Sequence, residues 1–244
     1  MIHEYFQRGV AAGVIAGLAY GLYMMFVGNP LSEYVEAAAG GHEGGHAHGG
    51  AGSLVPETTT AAVSATSGVL WAVLLGGAFA VALYLLEPAL PGRGDVKAYV
   101  LAGVGFFSVS VTPWLVFPPA APGAVYQYPI DTRIAVYLGL VVVGVGLSAA
   151  AIGAYKRFAP RHVGLGVLAG SAPILVAVVV LPVLAPTAAT HPDLPADLVA
   201  AYRGLVVLSQ AALWLLLAGA FTRLRRWADG DRSAASTEKA LSNL

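Results

Sequence analysis

Six stretches of this chain contain no Asp, Glu, Lys or Arg, and each is long enough to cross a lipid bilayer. Even the shortest, from Gly204 to Thr222, has 19 residues. A spanning helix needs about 20 mainly apolar residues, because the hydrocarbon layer is about 30 Å thick and each residue rises about 1.5 Å. Lipid offers the backbone no hydrogen-bond partners, so these segments must be helices. They are predicted at about 9–28, 66–87, 98–117, 134–154, 163–184 and 203–222.

The composition agrees with an all-α, polytopic membrane protein. Hydrophobic residues make up 57% of the chain and charged residues only 11%, whereas about a quarter of the residues in globular proteins are charged. We predict one membrane domain over residues 1–228 and a flexible cytoplasmic tail over 229–244. The zero net charge indicates no nucleic-acid partner, and the absence of cysteine excludes disulfides, thiolate metal sites and cysteine nucleophiles.

The basic residues predict the orientation of the helices. Of the 13 Lys and Arg residues, all but Arg133 and Arg203 fall on one side of the predicted spans. The positive-inside rule makes that side cytoplasmic. Both termini are therefore expected inside the cell, with loops 29–65, 118–132 and 185–202 outside. The predicted location is the plasma membrane, with multiple spans.

The first span carries a glycine ridge, defined as Gly9, Gly13, Gly17 and Gly21. Small residues at every fourth position let two helices approach closely in lipid, within one chain or in a homo-oligomer. Alternatively, the segment is a signal peptide cleaved near Ala37-Ala38-Ala39. Its apolar run exceeds the 7–15 residues or so typical of a signal peptide, which favours a retained helix.

The strongest chemical signal is a His-rich outer loop over residues 37–57. It contains His42, Glu43, His46 and His48 among many glycines. Imidazole is a common ligand of divalent transition metals, and the flexible backbone predicts a loose, exchangeable chelator rather than a structural zinc site. On the outer face it would meet ions before the membrane does, which favours import. The alternative is a disordered loop that binds metal only incidentally.

Further polar residues and prolines are candidates for an outer vestibule or an ion pathway: Pro113, Asp131, Arg133, Pro173, His191, Asp193 and Asp197. A proline inside a helix frees a carbonyl on the preceding turn, which can face an ion path or be satisfied by neighbouring helices. His191 and the two aspartates that follow it could receive a divalent ion. Asp197 could instead stabilise the start of the sixth helix through the helix dipole.

The arrangement resembles the CbtA family of predicted cobalt transporter subunits. The matching features are the His-rich outer loop, the proline-rich stretch from Pro113 through Pro118-Pro119 to Pro122-Gly123, and the segments around Tyr202-Arg203 and Ser209-Gln210. The resemblance implies cobalt uptake serving cobalamin synthesis, beside a small, single-helix, His-bearing partner called CbtB.

Three classes of function remain. The first is import of a divalent transition metal, with cobalt implied by the resemblance and no permanently bound cofactor. The second is a carrier of another substrate, and the third is a non-transporting membrane scaffold or metal sensor. An enzyme is not expected, because the chain lacks the GxxxxGK[ST], HExxH and GxSxG motifs. No His, Asp or Glu lies at the centre of a predicted span, so an ion would need neutral oxygens or residues near the helix ends.

Overall fold

The computed structural model describes residues 2–40, 57–186 and 188–241. Helices dominate this part of the chain, and two of them are interrupted by a five-residue π-helical turn. A pair of two-residue strands completes the fold. The elements are α1 (Ile2–Tyr23), a first π-helical turn (Met24–Gly28), α2 (Asn29–Ala38), α3 (Glu57–Leu86), α4 (Val96–Phe106), a second π-helical turn (Phe107–Val111), α5 (Thr112–Val116), β1 (Val125–Tyr126), α6 (Ile130–Phe158), α7 (Val163–Leu184), β2 (Ala189–Thr190) and α8 (Ala196–Leu241).

Six helical segments of the described chain are long and apolar enough to span a membrane. This confirms the predicted all-α, polytopic fold. The segments are Ile2–Ala38, Thr66–Leu86, Val96–Val116, Ile130–Phe158, Val163–Leu184 and Ala196–Gly230.

Several helices extend past the predicted ends of the spans. The first span begins at Ile2 and includes Arg8, and the last helix continues through Arg225 and Arg226 to Leu241. A charged residue ends an apolar run, but it leaves the backbone hydrogen bonds of the helix intact, so the helix continues into the aqueous interface. Residues 229–241, predicted as a flexible tail, are therefore helical in this structure.

Each π-helical turn is followed by one residue and then by a proline, Pro30 or Pro113. In the second turn the N–H of Thr112 donates to the carbonyl of Phe107, five residues earlier instead of four. The first turn has the same pattern. A proline ring clashes with the carbonyl four residues before it, and the wider turn gives that carbonyl room. The chain thus passes both prolines as nearly continuous helix.

The helices do not pack in chain order. α1 packs against α3, and α8 lies against both α1 and α4. The second π-helical turn and α5 contact α6, which in turn contacts α7. Most of the large buried side chains of the core come from α3 and α8, and they include Phe79, Leu83, Leu213, Leu217 and Phe221.

The glycine ridge lies inside the chain. All four of its residues are buried: Gly9, Gly13, Gly17 and Gly21. A Cβ atom at Gly13 would lie 2.5 Å from the carbonyl oxygen of Ala72 in α3. Conversely, a Cβ at Gly76 of α3 would lie 2.9 Å from the Cα of Gly13. Gly9, Gly13 and Gly17 pack against α3, so the close helix contact that the ridge predicts lies within one chain. Cleavage near Ala39 would remove this packed helix.

Charged residues tie the helices together at the end of the bundle that holds Tyr5 of α1. The Tyr5 hydroxyl donates to Oε2 of Glu87 at 2.9 Å. Arg225 of α8 lies 3.1 Å from Oδ1 of Asp95 and 3.9 Å from Oε1 of Glu87. Arg226 also contacts Asp95, at 2.5 Å. This ionic cluster joins α1, α3, α8 and the loop before α4.

Candidate functional site at the proline-rich end

The other end of the bundle is covered by the proline cap, defined as residues 117–129. Prolines prevent a regular helix here, and β1 instead pairs antiparallel with β2 from the loop between α7 and α8. The N–H of Gln127 extends this pairing by donating to the carbonyl of Ala188 at 3.0 Å. Phe117 and Tyr128 stack with their ring centroids 6.3 Å apart. The second and third predicted outer loops therefore form one layer.

Two polar side chains fasten the proline cap to its neighbours. The N–H of Ala121 donates to Nε2 of His191 at 3.0 Å, and Nε of Arg203 donates to the carbonyl of Pro119 at 3.1 Å. A histidine nitrogen that accepts a hydrogen bond carries no proton, and its lone pair is occupied. The structure thus gives His191 a role in holding the cap, where the sequence indicated a metal acceptor.

The three aspartates at this end remain exposed: Asp131, Asp193 and Asp197. Asp131 and Asp197 lie in the first turns of α6 and α8, where a negative charge favours the helix dipole. Across residues 2–40, 57–186 and 188–241, no three His, Cys, Asp or Glu side chains come close enough to hold a metal ion. The aspartates are accessible to a passing cation, but the structure does not gather them into one site.

The carbonyl that Pro113 leaves without an N–H partner is not free to line a passage. It belongs to Val109, four residues earlier, and the hydroxyl of Tyr137 donates to it at 3.0 Å. One turn away, Oγ1 of Thr112 donates to the carbonyl of Phe107 at 2.9 Å. At Pro113, therefore, a neighbouring helix satisfies the freed carbonyl, as in the second of the two alternatives that the sequence left open. Pro173 lies half-buried within α7, which continues past it to Leu184.

Small residues of α6 bring that helix against the second π-helical turn. A Cβ at Gly144 would lie 2.7 Å from the Cα of Ser108, and the buried hydroxyls of Ser108 and Ser148 are 3.1 Å apart. Gly144 and Ser148 are four residues apart, so small-residue spacing was the sequence signal for this contact.

A cavity of about 260 Å³ lies beneath the proline cap. The guanidinium carbon of Arg133 sits 3.7 Å from the ring centroid of Tyr126. Nε of Arg133 is buried and has no hydrogen-bond partner among the described residues. The other lining residues are mainly apolar: Phe117, Pro118, Ala120, Ile130, Ile134, Tyr137, Ala188 and Ala189. An unneutralised positive charge makes this cavity unfavourable for a divalent cation.

A second, smaller cavity, of about 140 Å³, lies between the first π-helical turn and α8. Its lining includes the hydroxyl-bearing residues Tyr20, Ser32, Tyr202 and Ser209. Nearby, Nε2 of Gln210 donates to the Tyr20 hydroxyl at 3.1 Å. This cavity therefore offers neutral oxygen atoms without a basic side chain.

The predicted metal ligands His42, Glu43, His46 and His48 lie outside the described residues. The described chain before them ends at Gly40, which has a positive φ of 78° that ends α2. Just before it, Ala39 meets the proline cap, with its Cβ 3.0 Å from the position that a Cβ on Gly123 would take. The described chain therefore stops beside the proline cap, two residues before the first predicted metal ligand, His42.

A family model matches most of this chain. Searches of curated proteins and of solved structures found no match. The family model described as probable cobalt transporter subunit (CbtA) matches residues 2–226. This range includes the proline cap, the first five spans and the sixth span as far as Arg226. The word subunit in this description implies a partner subunit. With nearly the whole chain covered by the match, this multi-pass membrane protein belongs to the CbtA family of probable cobalt transporter subunits.

Proposed function

We propose that this chain imports divalent cobalt as one subunit of a transporter and that its His-rich outer loop captures the ion first. The observation that carries the proposal is the family match over residues 2–226. The loop adds a chemical reason, because three imidazoles and a carboxylate within seven residues are suited to a borderline divalent ion. The orientation with this loop outside rests on the distribution of basic residues.

The position of the loop supports transfer from capture to entry. His46 follows Gly40 by six residues, so its Cα can lie at most about 22 Å from that of Gly40, at 3.3–3.6 Å per residue. Asp193 and Asp197 are exposed at the same end of the bundle. Their carboxylate oxygens are the proposed acceptors of the ion, in preference to His191, whose Nε2 is already hydrogen-bonded.

We place the start of the passage at the cavity between the first π-helical turn and α8. Hydroxyl oxygens can replace part of the ion's hydration shell there, whereas Arg133 repels a cation from the cavity beneath the proline cap. Inward movement of a dication gains about 4.6 kcal/mol per 100 mV of membrane potential, twice the value for one charge. The potential therefore favours import without a nucleotide-binding site.

The test is cobalt accumulation in cells that lack their own uptake systems. The wild-type chain is compared with a variant carrying His42→Ala, His46→Ala and His48→Ala, and with His3→Ala as the matched control outside the loop. We expect the triple variant to lose uptake mainly at submicromolar cobalt and to recover as cobalt rises, because the loop raises the local ion concentration. The control should accumulate cobalt like the wild type.

Other outcomes identify the other classes of function. Equal uptake by the triple variant at every cobalt concentration would remove the capture role and leave a carrier with an incidental loop. No accumulation above empty vector, with the protein in the membrane and its partner subunit co-expressed, would contradict transport. In that case, cobalt binding to the purified wild type but not to the triple variant would indicate a metal sensor.

A further inference from the structure

Arg133 is a cation held in place without an anion. It lies three residues after the start of α6, and its guanidinium is fixed against the Tyr126 ring at 3.7 Å. Its Nε is buried with no hydrogen-bond partner in the described part of the chain. Two other arginines near helix ends have polar partners: Arg203 has the Pro119 carbonyl and Arg225 has Asp95. Arg133 differs from these two in having a buried donor without a partner.

Such a group calls for a ligand of opposite charge. A donor N–H that is removed from water without an acceptor is unfavourable, and more so when it belongs to a charged group. The contact with Tyr126 recovers only part of this cost, because the ring attracts the cation but accepts few of its hydrogen bonds. Asp131, two residues earlier, is exposed and forms no ion pair with Arg133. An oxyanion entering the cavity would complete the site.

The surroundings of the cavity indicate where this anion comes from. Ile130, Ile134 and Leu138 are 56%, 51% and 57% exposed and follow one another at every fourth position of α6. They form an apolar stripe that runs from the guanidinium along a membrane-spanning helix. Any lipid-facing helix presents apolar side chains, so the stripe alone does not indicate a specific lipid site. The guanidinium at its end lies where lipid headgroups lie, because the span begins at Ile130.

We propose that the Arg133 cavity binds the phosphate group of an acidic membrane phospholipid, with one acyl chain along the Ile130–Leu138 stripe. Arginine suits phosphate because its planar fork can donate two parallel hydrogen bonds. The cavity of about 260 Å³ has room for a headgroup phosphate. The bound lipid would neutralise the cavity and join the proline cap to α6. This site is separate from the proposed cobalt path and does not depend on it.

Native mass spectrometry of the purified chain in detergent tests the proposal. Phosphatidylglycerol is compared with phosphatidylcholine, whose choline group cancels the phosphate charge. We expect the wild type to bind phosphatidylglycerol about fivefold more tightly, the effect of about one favourable basic contact at a membrane surface. Arg133→Gln should lose this preference and Arg133→Lys should keep part of it. The matched control is Arg161→Gln, an exposed arginine 5.9 Å from the Phe158 ring at the opposite end of α6, which should keep the preference in full.

Equal binding of the two lipids by the wild type would overturn the proposal. This part of the test needs no variant, so it does not depend on whether Arg133→Gln folds. A preference that survives intact in Arg133→Gln, with the variant eluting as a folded particle, would also overturn it. A further arm replaces lipid with inorganic phosphate. Stabilisation of the wild type by phosphate but not of Arg133→Gln, without lipid preference, would show a site for soluble phosphate and would refute the lipid assignment.

Discussion

Replacing Gly76 with alanine should separate α1 from α3 and destabilise the protein. The new Cβ would lie 2.9 Å from the Cα and 3.0 Å from the N of Gly13, and it would also overlap the carbonyl oxygen of Gly9. All of these are backbone atoms, so no side-chain rotation can relieve the overlap. Carbon atoms rest at about 3.5–4.0 Å. The two helices must therefore move apart by about 0.6 Å or more.

The energetic effect follows from that displacement. Overpacking a well-packed contact costs about 1–3 kcal/mol, and the upper part of this range applies here because two helix backbones are in contact. Alanine has a higher helix propensity than glycine, which offsets up to about 1 kcal/mol of this cost. The expected net loss is about 2 kcal/mol, which is close to a thirtyfold rise in the unfolding equilibrium constant.

The assay is reversible unfolding by sodium dodecyl sulfate in mixed micelles, followed by circular dichroism. The matched control is Gly146→Ala in α6, where a Cβ would meet no atom within 4 Å. This control should unfold at the wild-type concentration of denaturant or slightly above it. If Gly76→Ala proved as stable as Gly146→Ala, the close contact between α1 and α3 would be refuted.

Three further predictions concern the two ends of the bundle. Tyr137→Phe removes the hydroxyl that donates to a carbonyl of the second π-helical turn, so the same unfolding assay should show a loss of about 1–3 kcal/mol. Asp95→Asn removes the charge that Arg225 contacts, and because the pair is 17–19% exposed we expect a loss of about 1 kcal/mol and a weaker dependence of stability on salt. Since the chain has no cysteine, a cysteine replacing Asp193 should react with an impermeant maleimide in intact cells, whereas one replacing Arg93 should react only after lysis.

Each of these has an informative contrary result. Tyr34 is 64% exposed, so Tyr34→Phe should be neutral, and an equal loss in both tyrosine variants would refute the carbonyl contact. An unchanged salt dependence in Asp95→Asn would show that the ionic cluster contributes no stability. The opposite labelling pattern for the two cysteines would reverse the predicted orientation, and with it the direction of transport proposed here.

The spans could be predicted from the sequence because a long run without charge has few alternatives to a membrane helix. The ends of the helices could not be predicted, since Arg8 and Arg223 bound the apolar runs but lie within helices that continue past them. The glycine ridge indicated a close helix contact, but its spacing does not specify the partner. Any helix with small residues would fit, and the structure selects α3 through Ala72 and Gly76.

The candidate site was less predictable because its contacts join residues far apart in the chain. Pro113 visibly frees a carbonyl, but its partner Tyr137 comes from the next long helix. His191 has the chemistry of a metal ligand, and only the fold places the N–H of Ala121 against it, 70 residues away. The lack of a partner for Nε of Arg133 was likewise not predictable, because the sequence does not show which side chains pack around it. The role of the histidine triplet stays a prediction from composition.

The contact of α8 with α1 has a consequence for how the protein is made. Ribosomes deliver the spans to the membrane one at a time, and α1 and α3 are available long before α8. Phe79 gains the ring contact with Phe221 only when the last span arrives. Leu213 and Leu217 of the same span complete the buried cluster that contains Phe79 and Leu83. Until then, the intermediate must keep its helices in lipid without their final neighbour. A chain interrupted before residue 213 would lack the core side chains of α8, and we expect membrane quality-control proteases to degrade it.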